Sequence, residues 1–155
     1  METHPHLRRS HRGPWIAEAI KLLAFAALYG VVALGARVYA QPHGYASLFW
    51  PPSGLALAAL VIGGRRYAWG IVLGILISYI GTPQLSSPAI AGLALGPALE
   101  ALLGHWLLTS AAGFDPHFKD LRDFGQLMTR GALAGGVVGA AVGTTSLVLT
   151  GDVSL

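Results

Sequence analysis

The chain is built from long apolar runs that carry almost no charge, divided by short polar or Gly/Pro-rich breaks. In a bilayer every backbone N–H and C=O of such a run must be satisfied inside the segment, which selects helices. The sharpest case is Phe49–Leu60, FWPPSGLALAAL. Trp50 has the amphipathic ring that favours a membrane–water boundary. Pro51 and Pro52 have φ preset for a first helical turn and lack the N–H groups that such a turn leaves unused. After Ser53 and Gly54 the run is aliphatic as far as Ile62. It reads as a boundary anchor, an abrupt helix start and an apolar span. Only 11% of the residues are charged, against about 25% in soluble domains, too few to coat a surface in water. A mean hydropathy of +0.59 agrees.

Taken in order, residues 1–14 form a basic tail with Arg8, Arg9 and Arg12, expected to be disordered and cytoplasmic. The spacing of His4, His6 and His11 fits no ordered metal site. The apolar run that follows is too long for a signal peptide, and further runs follow it. Residues 15–155 then read as one membrane domain, an all-α polytopic transmembrane bundle of about five spans with a short amphipathic helix. The spans are expected near 15–36, 48–63, 67–81, 88–110 and 131–150. Glu18 and Lys21, three apart, read as an intrahelical pair close to the boundary. The third run is short for a hydrocarbon layer of about 30 Å. Residues 111–130 collect Asp115, Lys119, Asp120, Arg122, Asp123 and Arg130, while Phe114, Phe118, Leu121 and Phe124 recur at helical spacing. That pattern predicts a helix lying along the membrane surface, starting at Asp115-Pro116.

Basic residues orient a bundle, because they are retained on the cytoplasmic side. Arg8, Arg9, Arg12, Arg65, Arg66, Lys119, Arg122 and Arg130 fall on one side, and only Arg37 on the other. The N-terminus is therefore expected in the cytoplasm and Trp50 on the outer face. Five spans leave Leu155 outside, so control of a cytoplasmic output requires further helices beyond it.

Glu100 is the residue most suggestive of function. A carboxylate near the middle of a span costs about 2.5–3.5 kcal/mol on insertion scales. Gly92, Gly96, Glu100 and Gly104 repeat every four residues, so the carboxyl lies on a face of small residues that helices can approach closely. It is either a ligand- or proton-binding group or a hydrogen-bonded packing residue. His105 is five residues on and off that face, which argues against a metal pair. The last span carries Gly131, Gly135, Gly139 and Gly143, a ridge for helix–helix contact. Packing within the chain is the first reading of that ridge and a homodimer the second. With no Cys there is no disulfide, thiolate metal site or Cys nucleophile. No phosphate loop, HExxH or Ser/His/Asp arrangement occurs, and no basic–aromatic patch suggests nucleic acid. Nothing argues for an enzyme, a metal or a cofactor.

Four stretches, in this order, resemble the first membrane-associated sensor (MASE-type) family. They are Trp50-Pro-Pro-Ser-Gly-Leu-Ala-Leu-Ala; Gly-Arg65-Arg66 followed by Trp69-Gly-Ile-Val-Leu-Gly74; Leu99-Glu100-Ala-Leu-Leu; and Gly113-Phe114-Asp115 with Leu121-Arg122-Asp123. The resemblance covers residues 15–155. It implies a bacterial inner-membrane sensory domain of about eight helices, without catalysis of its own. Such a domain passes a signal to a cytoplasmic histidine kinase or cyclic-di-GMP output. Glu100, Trp50, Pro51, Ser53 and Gly54 are then the sensing candidates. Two departures stand out. Pro97 occupies a place where the family tends to have Asn, and the family's last helices are absent, so an N-terminal piece of a longer protein is expected. A small-molecule transporter or substrate-binding membrane subunit is the alternative, since it would have the same apolar helices and buried carboxylate.

Overall fold

The structure, a computed structural model, describes residues 13–40, 50–80, 85–110, 114–117 and 119–152. Arg8, Arg9 and Arg12, Phe118 and the 41–49 connection lie outside them. Among the described residues the chain is helical without strands: α1 (Gly13–Ala40), α2 (Pro51–Gly63), α3 (Tyr67–Ser78), α4 (Ser87–Thr109), α5 (Leu121–Gln126), a π-helical segment (Leu127–Leu133) and α6 (Ala134–Leu149). Three helical stretches are long and apolar enough to cross a membrane: Trp15–Tyr39, Ser87–Thr109 and Leu121–Leu149. The other two apolar helices, α2 and α3, have 13 and 12 residues. At 1.5 Å per residue they reach only about 20 Å, short of the hydrocarbon thickness.

α4 is the centre of the bundle. It packs most extensively on α6, and also on α3 and α2, while α1 packs mainly on α3. The core is made largely of small side chains. Phe25, Tyr29 and Ala33 of α1 meet Ala56 and Leu60 of α2, Ile71 and Ile75 of α3, and Ala94, Ala98 and Ala101 of α4. Small residues suit this environment because lipid tails are as apolar as leucine, so association rests on close packing rather than on burial from water. The α1–α3 seam shows the same device: a Cβ at Gly74 would stand 2.7 Å from the Ala26 carbonyl oxygen and 2.9 Å from the Tyr29 ring.

Polar contacts mark the two ends. At one end Glu18 pairs with Lys21 at 3.0 Å and with Arg66 at 2.6 Å, the latter an ion pair bent out of hydrogen-bond alignment. At the other, Arg37 donates to the Ser78 carbonyl and its guanidinium lies 3.8 Å from the centre of the Tyr79 ring. A cation there complements the C-terminal end of α3. At the same end Asp152 accepts from the Ser86 N–H at 3.1 Å and the Ser86 hydroxyl at 2.6 Å, tying the start of α4 to the chain beyond α6. Its carboxyl is held below the usual carboxylate range by the Ser86 hydroxyl first, then by Thr150 and the Ser86 N–H.

Two expectations change. The helix after α4 begins at Leu121, not at Asp115-Pro116, and runs through the π segment into α6. Asp120 and Asp123 form a capping box there, which satisfies two N–H groups at Leu121's end of the rod. Asp123 is 2% exposed and also accepts from the Asp115 N–H at 3.1 Å. The short helix is thus the first turns of the last span. The second change concerns α2, whose start lies well inside the bundle, beside the core.

Candidate functional site

α2 and α4 run in parallel. Ser53 stands beside the Glu100 carboxyl, and one turn on, Leu57 meets the site where a Cβ at Gly104 would stand, 3.2 Å away. Pro51 is therefore level with about Ala98, roughly 16 Å along α4 from Ser87 at 1.5 Å per residue. Trp50 is half-buried and packs on the core. This corrects the expectation that the Trp50 entry sits at an outer surface. The Pro-Pro pair explains how a helix can start at that depth. A helix end leaves its first N–H groups without partners, and unsatisfied N–H groups are costly in hydrocarbon. Pro51 and Pro52 have none, and the Ser53 N–H reaches the Trp50 carbonyl at 3.1 Å.

The carboxyl of Glu100 is half-buried among four helices. α6 supplies a glycine wall: a Cβ at Gly139 would lie 2.5 Å from Oε2, and one at Gly135 would lie 2.8 Å from the Glu100 carbonyl oxygen. α2 supplies the Ser53 hydroxyl. α1 supplies Tyr29, whose side chain is 0% exposed and whose hydroxyl has no hydrogen-bond partner. Tyr29 packs in one core cluster with Ala98 and Ala101 of α4. Among the described residues no group of three or more His, Asp and Glu is gathered that could hold a metal ion.

Ser53 stands beside Glu100, Trp50 is nearby in the core, and Pro52 is buried beneath them. Pro51 and Gly54 are exposed, with open space where a Gly54 side chain would be. The glycine faces meet one another. A Cβ at Gly96 would lie 3.1 Å from the Gly139 carbonyl, one at Gly104 2.7 Å from the Gly131 carbonyl, and one at Gly92 1.9 Å from the Ser146 hydroxyl. Gly143 is looser, with only Leu93 at 3.7 Å. His105 lies elsewhere, near Arg65, with Nδ1 buried and unpartnered. Arg65, Arg66, Lys119 and Arg122 gather at the end of the bundle where α2 and α4 finish, and Arg130 is level with the last turns of α4 beside Gly131. Sequence reading missed Tyr29, which nothing in its apolar run distinguishes. It also missed the α1–α3 seam, although Gly70 and Gly74 carry the same four-residue spacing.

The described residues form a multi-pass helical membrane domain with a carboxyl held between its helices. The MASE1 family model matches residues 21–155, and the chain belongs to that family of membrane sensory domains of signalling proteins. Comparison with curated proteins and with solved structures gave no match.

Proposed function

We propose that this domain receives a signal in the bacterial inner membrane, N-terminus in the cytoplasm, and passes it to a cytoplasmic histidine kinase or cyclic-di-GMP output, fused or separate. The observation that carries the reading is the seating of Glu100 against Gly135 and Gly139. A change at this carboxyl acts directly on α6, which continues as one rod to the capped end at Asp120 and Asp123. A signal moves such a rod only by favouring one packing arrangement over another. The basic residues at that rod's start support a cytoplasmic assignment for it. Gly135 and Gly139 of the ridge face Glu100 of α4 within the chain, which supports packing over a homodimer contact as the role of the ridge.

The test is the output of the full-length protein. Glu100→Gln and Gly139→Ala should each lock the output high or low, while Gly136→Ala, which has open space around it, should leave it responsive. Normal responses in both of the first two would refute the reading. The start of α2 inside the bundle favours a second reading, transport, because discontinuous helices at mid-depth form many transporter sites. Flux into proteoliposomes that depends on Glu100 would establish it, and absence of flux would exclude it.

A further inference from the structure

We propose that the π segment Leu127–Leu133 is a register switch. The rod Leu121–Leu149 has two packings that differ by one residue before the segment, and the signal selects between them. The proposal rests on the sensory reading and names the movement by which the rod carries the signal.

A π-helix closes its turns with i→i+5 bonds, is rare, and occurs mostly as single-turn bulges that are frequent at functional sites. Here it takes seven residues, and the Ala134 N–H reaches the Thr129 carbonyl, five residues back. The chain is anchored on both sides of it. On the α6 side, a Cβ at Gly96 would lie 3.1 Å from the Gly139 carbonyl oxygen, and Asp152 accepts from Ser86 at 3.1 and 2.6 Å. On the α5 side, Asp123 accepts from the Asp115 N–H at 3.1 Å and the Asp120 N–H at 3.3 Å. α4 presses on the rod at the segment itself. A Cβ at Gly104 would lie 2.7 Å from the Gly131 carbonyl oxygen, and one at Gly135 would lie 2.8 Å from the Glu100 carbonyl oxygen.

The apolar pattern fits a register that the structure does not adopt. At about 100° per residue, an unbroken α-helix would bring Gly131, Met128, Phe124 and Leu121 within about 40° of the direction of Gly135, the face toward α4. Asp123 would point about 120° from it and Gln126 about 180°. The structure shows the opposite. Leu121, Phe124 and Met128 are 91%, 54% and 44% exposed, Asp123 is buried, and Gln126 holds a buried Oε1 without a hydrogen-bond partner. The extra residue of the wide turns accounts for the offset. Each register has what the other lacks. The observed one keeps the bond from Asp115 to Asp123, but leaves the Gln126 acceptor unsatisfied and three large apolar side chains uncovered. The α register frees Gln126 and turns those side chains inward, at the loss of the Asp115 bond. Passing between them turns α5 by about 100° and slides it outward by about 1.5 Å. A change at Glu100 acts on Gly135, two residues past the segment, and so biases the choice.

The chain has no Cys, so single cysteines report the register directly. In the purified chain in detergent micelles, Phe124→Cys should react with N-ethylmaleimide faster than Leu127→Cys, the less exposed of the two. Asp123→Ala removes the acceptor for Asp115 and should reverse that order. Deletion of Thr129 removes the extra residue itself and closes the segment as α-helix with Asp123 still in place. Its melting temperature should stay at the wild-type value, and adding Asp123→Ala should no longer reverse the order. Deletion of Ala141, an exposed position of α6 outside the segment, breaks the glycine register and should lower the melting temperature. In the full-length protein, deletion of Thr129 should hold the output at one level. An order unchanged by Asp123→Ala would overturn the proposal, as would a Thr129 deletion that melts as low as the Ala141 deletion. A normal response in the Thr129 deletion would also overturn it, since the rod then signals without the switch. The sensory reading is decided separately, by the effect of Glu100→Gln on the output.

Discussion

The glycine seam makes a quantitative demand that three single alanine substitutions can test. Adding a Cβ at Gly104 brings it to 2.7 Å from the Gly131 carbonyl oxygen and 3.2 Å from Leu57 Cδ1. The first neighbour is backbone and cannot swing aside, so α4 and the π segment must separate. Overpacking of this kind costs about 1–3 kcal/mol. Against it stands the gain of about 1 kcal/mol when Gly becomes Ala inside a helix. Gly136→Ala receives the same helix gain and meets nothing within 4 Å. The helix term cancels between the two, so Gly104→Ala should be less stable than Gly136→Ala by about 1–3 kcal/mol. Gly139→Ala should fall between them, since the Glu100 carboxylate that it meets at 2.5 Å is the end of a flexible side chain. Reversible unfolding of the three variants in mixed micelles, followed by circular dichroism, gives the differences directly. If Gly104→Ala proves as stable as Gly136→Ala, the helices are not in backbone contact at that level and the seam is wrong.

Other outcomes follow from the ends of the bundle and the start of α2. Because donation from Ser86 and Thr150 lowers the Asp152 carboxyl in the folded chain, its contribution is complete above the unfolded value of about 3.9 and is lost as pH falls through the folded value. An acid titration of stability should therefore lose part of its slope in Asp152→Asn, and an unchanged profile would dismiss the latch. Pro52→Ala restores an N–H at a buried position and should cost about 1–3 kcal/mol, more than Pro51→Ala, whose site is exposed; equal losses in thermal melts would contradict a helix start inside the bundle. Asp123→Ala should open the connection before α5, because Asp123 is 2% exposed and accepts from Asp115 and Asp120; faster proteolysis between residues 114 and 120 would show it, and unchanged protection would refute it.

Much of this molecule was legible in its residues. Low charge and long apolar runs dictate helices, because a bilayer offers the backbone no other partner. Four-residue glycine spacing predicts close packing because it puts the small residues on one face. Both arguments are local; which atoms the glycines face is not, and in the structure a Cβ at Gly92, Gly96, Gly104, Gly135 or Gly139 would press on a polar atom of the opposing helix. The expected surface helix at Asp115-Pro116 misread local amphipathicity, since the capping box at Asp120 and Asp123 decides where that helix begins.

The sequence by itself determined that this chain is a bundle of membrane helices, that Glu100 lies deep within one of them, and that the helix beginning Trp50-Pro-Pro starts abruptly. Those properties follow from transfer energies and backbone chemistry that each residue carries alone. Depth relative to other helices does not. Only the packed structure decided that α2 starts level with the middle of α4, which moves the Trp50 motif from the expected surface into the bundle. Only packing set Gly139 of α6 against the Glu100 carboxyl and Leu57 of α2 against Gly104 of α4. Their proximity depends on how helices of unequal length slide past one another, and that offset is set by small-residue contacts summed along whole seams.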